Sequence, residues 1–181
     1  LEEYLTKKEK LSDLSSQKNE EIIKNISEQI IKLGGKPNLD NENQKDLIKD
    51  LNKQFEQLLV KNILTDKSKN IIKDEEINGI KVRLQKVTDL PSKDLRKLVD
   101  NGKKEITEGI IIIFAIKDDK IGLAVGVTDK LTKKYDAVKF AKIGSEIVGG
   151  KGGGGRPDFA QAGGMLPDKI EEAFTKLKSL I

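Results

Sequence analysis

Apolar positions in the first third of the chain fall three and four residues apart. Leu1, Tyr4 and Leu5 are followed by Leu11 and Leu14, then by Ile22, Ile23, Ile26, Ile30, Ile31 and Leu33. That spacing predicts one helix with a single apolar stripe, weakest around residues 15–19. Gly34, Gly35 and Pro37 end it, because glycine supplies a left-handed cap and proline cannot continue the turn. A second stripe, Leu47, Leu51, Phe55, Leu58, Leu59 and Ile63, predicts a second helix with Asn41 or Asn43 as its N-cap. Two such helices are expected to pair as an antiparallel hairpin. The hairpin would serve either as a strut within one chain or as a dimerisation surface, and the pattern does not choose between them.

Residues 66–78 are polar and Lys-rich and read as a connector, with Ile71, Ile72 and Ile77 packing locally. The period then changes to two. Ile80-Lys81-Val82-Arg83-Leu84-Gln85-Lys86-Val87 alternates as a half-buried strand does. Asp89 and Pro91 open a helix whose stripe is Leu95, Leu98, Val99 and Ile106. The run 110–116 contains only Ile, Phe and Ala, and reads as a strand buried on both faces. Lys117-Asp118-Asp119-Lys120 is a tight turn into another strand over 121–128, which makes a β-hairpin. Ala137, Val138, Phe140, Ala141, Ile143, Ile147 and Val148 mark a further helix that ends in glycine. Phe159-Ala160-Gln161-Ala162 reads as a short strand, and a last helix starts at Pro167 with Ile170, Ala173, Phe174, Leu177 and Leu180 inside. The fold class is therefore α/β (α+β): a helical subdomain with its connector over 1–78, and a small domain with a mixed sheet over 79–181.

Composition narrows the chemistry. The 181 residues include no Cys and no His. Disulfides, zinc sites of the usual Cys/His kind, thiol nucleophiles and imidazole bases are excluded together. No apolar run approaches about 20 residues, and no signal peptide is visible. The chain opens on Leu1 within a helical pattern, which reads as the start of an excised piece. Charge is uneven: residues 1–79 hold 14 Lys against 16 acidic residues, and residues 80–181 hold 20 Lys+Arg against 14. The second part thus carries +6, which fits a polyanionic partner and equally a Lys-rich proteome.

The segment richest in information is Gly149-Gly150-Lys151-Gly152-Gly153-Gly154-Gly155-Arg156-Pro157-Asp158, followed by Phe159-Ala160-Gln161-Ala162-Gly163-Gly164. So many glycines are costly inside an element, so they are expected in a loop whose backbone comes close to a ligand. Backbone N–H groups would meet phosphate or a nucleotide face, with Lys151 and Arg156 adding charge. A floppy linker would not need Arg-Pro-Asp or a second glycine pair. Gly150, Gly152 and Gly155 match G-x-G-x-x-G only formally, since they follow a helix, and no Ser or Thr follows Lys151 as in a phosphate-binding Walker loop.

GGKGGGGRPDFAQAGG strongly resembles the signature of the C-terminal domain of alanyl-tRNA synthetases, whose globular half belongs to the DHHA1 family. GIKVRLQKV, DLRKLVD, GIIIIFA and IGLAVGVTDKLTKKYDA fall in that family's order and spacing, and EYLTKKEKLSDL is similar to the helix that leaves its editing domain. Four glycines separate Lys151 from Arg156, where three is the commoner pattern. The resemblance implies a cytoplasmic, non-catalytic module that grips the outer corner of tRNA, tRNA(Ala) in particular, and joins aminoacylation to editing on one tRNA. A homodimer through the helices is a further partner it allows, and no membrane is involved. It also implies no cofactor within this chain; the parent ligase would use ATP, Mg and a zinc ion elsewhere. Lys151, Gly152, Gly153, Gly154, Gly155, Arg156, Gln161, Gly163 and Gly164 match the motif as RNA-binding positions. Asp158 would order the loop by accepting backbone N–H bonds, and Phe159 would pack at its base or stack on a base. Lys130, Lys133 and Lys134 extend the basic footprint or form a plain solvated face. The alternative is the substrate-binding DHHA1 domain of a DHH-type phosphodiesterase.

Overall fold

The computed structural model describes residues 2–181, with burial and side chains described from Leu5 onward. Leu1 and the side chain of Tyr4, the first members of the expected stripe, lie outside the described residues. The chain forms two compact units, residues 1–62 and 63–181.

The first unit holds two helices, α1 (Glu2–Lys32) and α2 (Gln44–Thr65). Gly34 takes φ +81° and closes α1. The Gly34 N–H donates to Ile31 O at 2.9 Å and the Gly35 N–H to Ile30 O at 2.9 Å, the pair of bonds a glycine cap provides. At the start of α2 the Asn43 side chain accepts from the N–H groups of Lys45 and Asp46, which selects Asn43 over Asn41 as the cap. Ile26, Ile30, Leu47 and Leu51 form a small buried cluster between the helices.

The helices run parallel, which corrects the expected antiparallel hairpin. Asn19 donates to Gln44 at the start of α2, whereas Asn62 near its end donates to the Leu33 carbonyl. The connecting segment 33–43 is the cause. It is too long to force an immediate reversal and runs back along α2 instead, held where Gln54 donates to Lys36 O and accepts from the Asn38 N–H. Within the first half of α1, Leu5, Leu11 and Leu14 remain 50–64% exposed.

The second unit is built on a six-stranded sheet: β1 (Asn70–Ile77), β2 (Ile80–Thr88), β3 (Gly109–Lys117), β4 (Lys120–Val127), β5 (Gly153–Arg156) and β6 (Phe159–Gly164). The spatial order is β1-β2-β3-β4-β6-β5. Only β2 and β3 are parallel, and α3 (Leu95–Ile106) makes their crossover. The mixed sheet and the α/β (α+β) class are as expected. Residues 70–77 are not a connector but an edge strand. Asn78 and Gly79, at φ 50° and 78°, make the two-residue turn that pairs β1 with β2. Arg83 on β2 fastens the edge by pairing with Asp74 on β1 and with Glu105 on α3. The Arg83 guanidinium beside it holds the Asp74 carboxyl below its ordinary range.

Strands β3 and β4 are buried on both faces, as the unbroken apolar run requires. Ile110, Ile112 and Phe114 face α4 (Ala137–Ile147) and α5 (Ile170–Lys178), with Phe114 and Phe174 meeting edge-on at 5.1 Å. Ile111 faces α3 on the other side, where Gly102 lets the helix come close. The two layers are unequal in width. Helix α4 packs across β4, β6 and β5, while α3 packs mainly on β3 and β4. On the α3 side, β5 and the part of β6 beyond Phe159 are therefore left largely uncovered.

The end of α4 is pinned to β6 by hydrogen bonds. The Ser145 hydroxyl, fully buried, donates to Gly163 O at 2.6 Å and accepts from the Gly152 N–H at 3.2 Å. The Val148 carbonyl accepts from the N–H groups of Met165 and Leu166 at 2.8 and 2.9 Å. Replacing Ser145 by Ala leaves a part-buried carbonyl and a part-buried loop N–H without this partner. Ser145→Ala is expected to lower stability by about 1–3 kcal/mol, read as a lower urea midpoint at unchanged slope. A midpoint equal to wild type would show that Ser145 does not carry this junction.

Candidate nucleic-acid interface

The glycine segment splits into a loop and a strand. Residues 149–152 form the loop, with Gly149 and Gly152 in the left-handed region at φ 79° and 95°. The expectation of an all-loop segment is corrected from Gly153 onward: Gly153, Gly154 and Gly155 belong to β5, paired with β6 in the register Gly153↔Ala162, Gly154↔Gln161, Gly155↔Ala160 and Arg156↔Phe159. Backbone pairing alone builds this strand, since glycine contributes no side chain to it.

Most of these glycines answer to packing. A β-carbon at Gly150 would overlap Gly163 O and the Ser145 hydroxyl, and one at Gly153 would overlap Gln161 O. At Gly155 it would overlap Phe159 O, and at Gly164 the Val148 side chain. Gly163 is less constrained, with Ile121 O at 3.4 Å. Gly154 differs from all of them. Nothing lies within 4 Å of its virtual β-carbon, and its φ is not one that excludes other residues. Neither the sheet nor the helix beneath it needs a glycine there.

Register assigns faces. Gly153, Gly155, Ala160 and Ala162 turn towards α4, whereas Gly154, Arg156, Phe159 and Gln161 lie on the α3 side. Gln161 and Arg156 are exposed there. Asp158 sits in the β5–β6 turn, and among the described residues its carboxylate contacts are with cations instead of the expected backbone N–H groups. Its carboxylate pairs with Arg156 at 3.2 Å and lies 3.8 Å from Lys103 Nζ. Its backbone carbonyl accepts from Lys103 Nζ at 2.7 Å and from the Val127 N–H at 2.9 Å. Phe159 is buried at the base of the hairpin, with the Arg96 guanidinium 5.1 Å from its ring centre.

Lys151 is exposed at the mouth of the loop. Beside it, the stem of Lys142 on α4 approaches Gly152, with Cγ 3.9 Å from its virtual β-carbon. The remaining predicted lysines are dispersed. Lys130 turns to Glu108 at 3.4 Å, Lys134 lies over the Tyr135 ring at 5.2 Å, and Lys133 is exposed. Their segment reaches the glycine hairpin through the Ala137 N–H, which donates to Pro157 O at 2.9 Å. Sequence reasoning passed over Ser145, Lys142, Arg96 and Lys103. Lys142 and Ser145 stand one turn apart on α4 just before the glycines, and Arg96 and Lys103 stand two turns apart on α3, a helical spacing that was available to read.

The DHHA1 domain family matches residues 79–181. The chain is 44% identical over 108 residues to the alanine–tRNA ligase of Parvibaculum lavamentivorans, covering 59% of this chain and 12% of that protein. It is 41% identical over 163 residues to the alanine–tRNA ligase of Fusobacterium nucleatum, covering 89% of this chain and 18% of the relative. The chain thus spans less than a fifth of the length of these relatives. The C-Ala domain of the Aquifex aeolicus alanyl-tRNA synthetase superposes with a TM-score of 0.57 at 30% identity, covering 60% of this chain and 96% of that one. With a mixed sheet, a glycine edge hairpin and a family match over more than half its length, the chain belongs to the DHHA1 domain family, in the form found at the C-terminus of alanyl-tRNA synthetases.

Proposed function

We propose that the chain is the tRNA-binding module of an alanine–tRNA ligase, and that the glycine hairpin is its contact surface. Gly154 carries this reading: it is a glycine that the fold does not require, set on an exposed strand where only an approaching ligand would exclude a side chain. Exposed cations at Lys151, Lys142 and Arg156 border the strand and suit a phosphate backbone. The proposal includes the outer corner of tRNA(Ala) as the element gripped, and a role in holding one tRNA for both aminoacylation and editing. Binding of this kind uses no metal or nucleotide cofactor, and the module performs no chemistry itself. The unpaired stripe of Leu5, Leu11 and Leu14 fits a second copy of α1, so homodimerisation belongs to the same reading.

A titration with intact tRNA(Ala), and with the same tRNA disrupted in its D and T loops, tests the role. Binding that needs the intact corner is expected; equal binding to both would leave only a non-specific basic surface. Affinity should fall with salt at a log–log slope of about −0.7 to −0.9 per phosphate neutralised. Lys151→Ala with Arg156→Ala should flatten that slope by up to about 2 units, less if Asp158 already holds the Arg156 charge. Gly154→Val should abolish binding while melting as cooperatively as wild type, since its side chain meets open space and valine suits a strand. A Gly154→Val chain that binds normally would remove the hairpin from the interface. For dimerisation, Leu11→Glu with Leu14→Glu should reduce the mass seen by light scattering to that of the monomer, and a wild-type chain already monomeric would end that part of the proposal.

A further inference from the structure

We infer that Arg96, on α3, neutralises an RNA phosphate on the α3 side of β5 and β6, and that Phe159 is the positioning residue that aims it. The inference rests on the proposed tRNA-binding function and extends it to a second element of the fold.

Three observations meet at this place. First, α3 packs mainly on β3 and β4 and meets β6 at Phe159 through Arg96, so Gly154 and Gln161 lie exposed beside its flank. Secondly, the Arg96 guanidinium is held 5.1 Å from the Phe159 ring centre, and Phe159 is cross-strand partner to Arg156 on the same face. An aromatic face fixes a guanidinium through attraction to its π cloud and leaves the N–H donors unused. Thirdly, Arg96 is exposed, and among the described residues it forms no ion pair or hydrogen bond. The other two cations of this corner are already committed: Lys103 donates to the Asp158 carbonyl, and Arg156 pairs with the Asp158 carboxylate. Arg96 is the oriented cation here with its donors free.

This arrangement gives Phe159 a purpose that burial alone does not. Its ring is buried, yet it holds a charged group at the edge of the glycine surface without consuming that group's hydrogen bonds. An arginine supported in this way loses little freedom on meeting a phosphate, and its planar fork accommodates two phosphate oxygens.

Salt-dependent titration of the whole chain with intact tRNA(Ala) tests the inference. Arg96→Ala should weaken binding about tenfold at low salt and flatten the log–log slope by about 0.7–0.9. Arg96→Lys should keep the slope, having kept the charge. Phe159→Leu retains an apolar side chain; it should keep the slope yet weaken binding about threefold, and should cost nothing more once Arg96 is Ala. An Arg96→Ala chain with wild-type affinity and slope overturns the inference alone, provided wild type binds the intact tRNA. A Phe159→Leu effect equally large with and without Arg96 overturns the positioning role. If wild type itself binds no tRNA, the functional reading beneath falls, and the inference with it. Cooperative melting of each variant shows that a loss of binding is not a loss of fold.

Discussion

The close seating of α4 on β6 governs the functional end of this protein. The buried Ser145 hydroxyl and the Val148 carbonyl tie the last turn of the helix to the backbone of residues 163–166, and Gly150 and Gly164 remove the atoms that would keep them apart. The loop that leaves α4 has its position fixed at both ends. One end is the Gly150 N–H on the Ser145 carbonyl, and the other is the Gly152 N–H on the Ser145 hydroxyl, where β5 begins its pairing with β6. A segment with this many glycines would otherwise have a large conformational entropy to lose on ordering. Here the hydrogen bonds at its boundaries and the strand ladder hold it, and an extended glycine surface stands ready-made at the sheet edge.

The layers explain where that surface faces. Because α3 and α4 cover different numbers of strands, the sheet has one two-sided core at β3 and β4 and a flank covered on one side only. Small residues follow the boundary. Ala160 and Ala162 lie under α4, and Gly154 and Gln161 lie on the open side. The cations at the rim come from α3, α4, the loop before β5 and the end of β5 itself, with Asp158 joining Lys103 to Arg156. A ligand on this face would meet backbone at its centre and charge around its edge.

Much of this was readable from residue pattern, and the two missed strands have a common cause. β2, β3, β4 and β6 were legible because each buries at least part of one face, which leaves a period of two or an unbroken apolar run. Both strands that the pattern missed are edge strands. β1 is mostly exposed, and its charged residues mask the alternation; the Asn78-Gly79 turn was the available signal. β5 is three glycines and an arginine, so it has no side-chain pattern to read. The parallel course of α1 and α2 was hidden for a different reason. Helix periodicity specifies which face is apolar but not the direction of the partner, and the length of the 33–43 connection carried that information. Among the site residues the motif was visible, whereas Arg96 and Lys103 come from a helix fifty residues earlier and are brought in only by the sheet.

Strand β5 also has a bearing on how the protein avoids its own copies. An edge strand with free N–H and C=O groups invites another sheet to add to it, and cells of any kind must contend with that hazard. Dry, interlocked growth between sheets needs side chains to mesh, and three successive glycines supply none. The same bareness that leaves backbone donors open to a polar ligand deprives a would-be fibril of its zipper. Recognition and self-avoidance are here properties of one missing set of atoms.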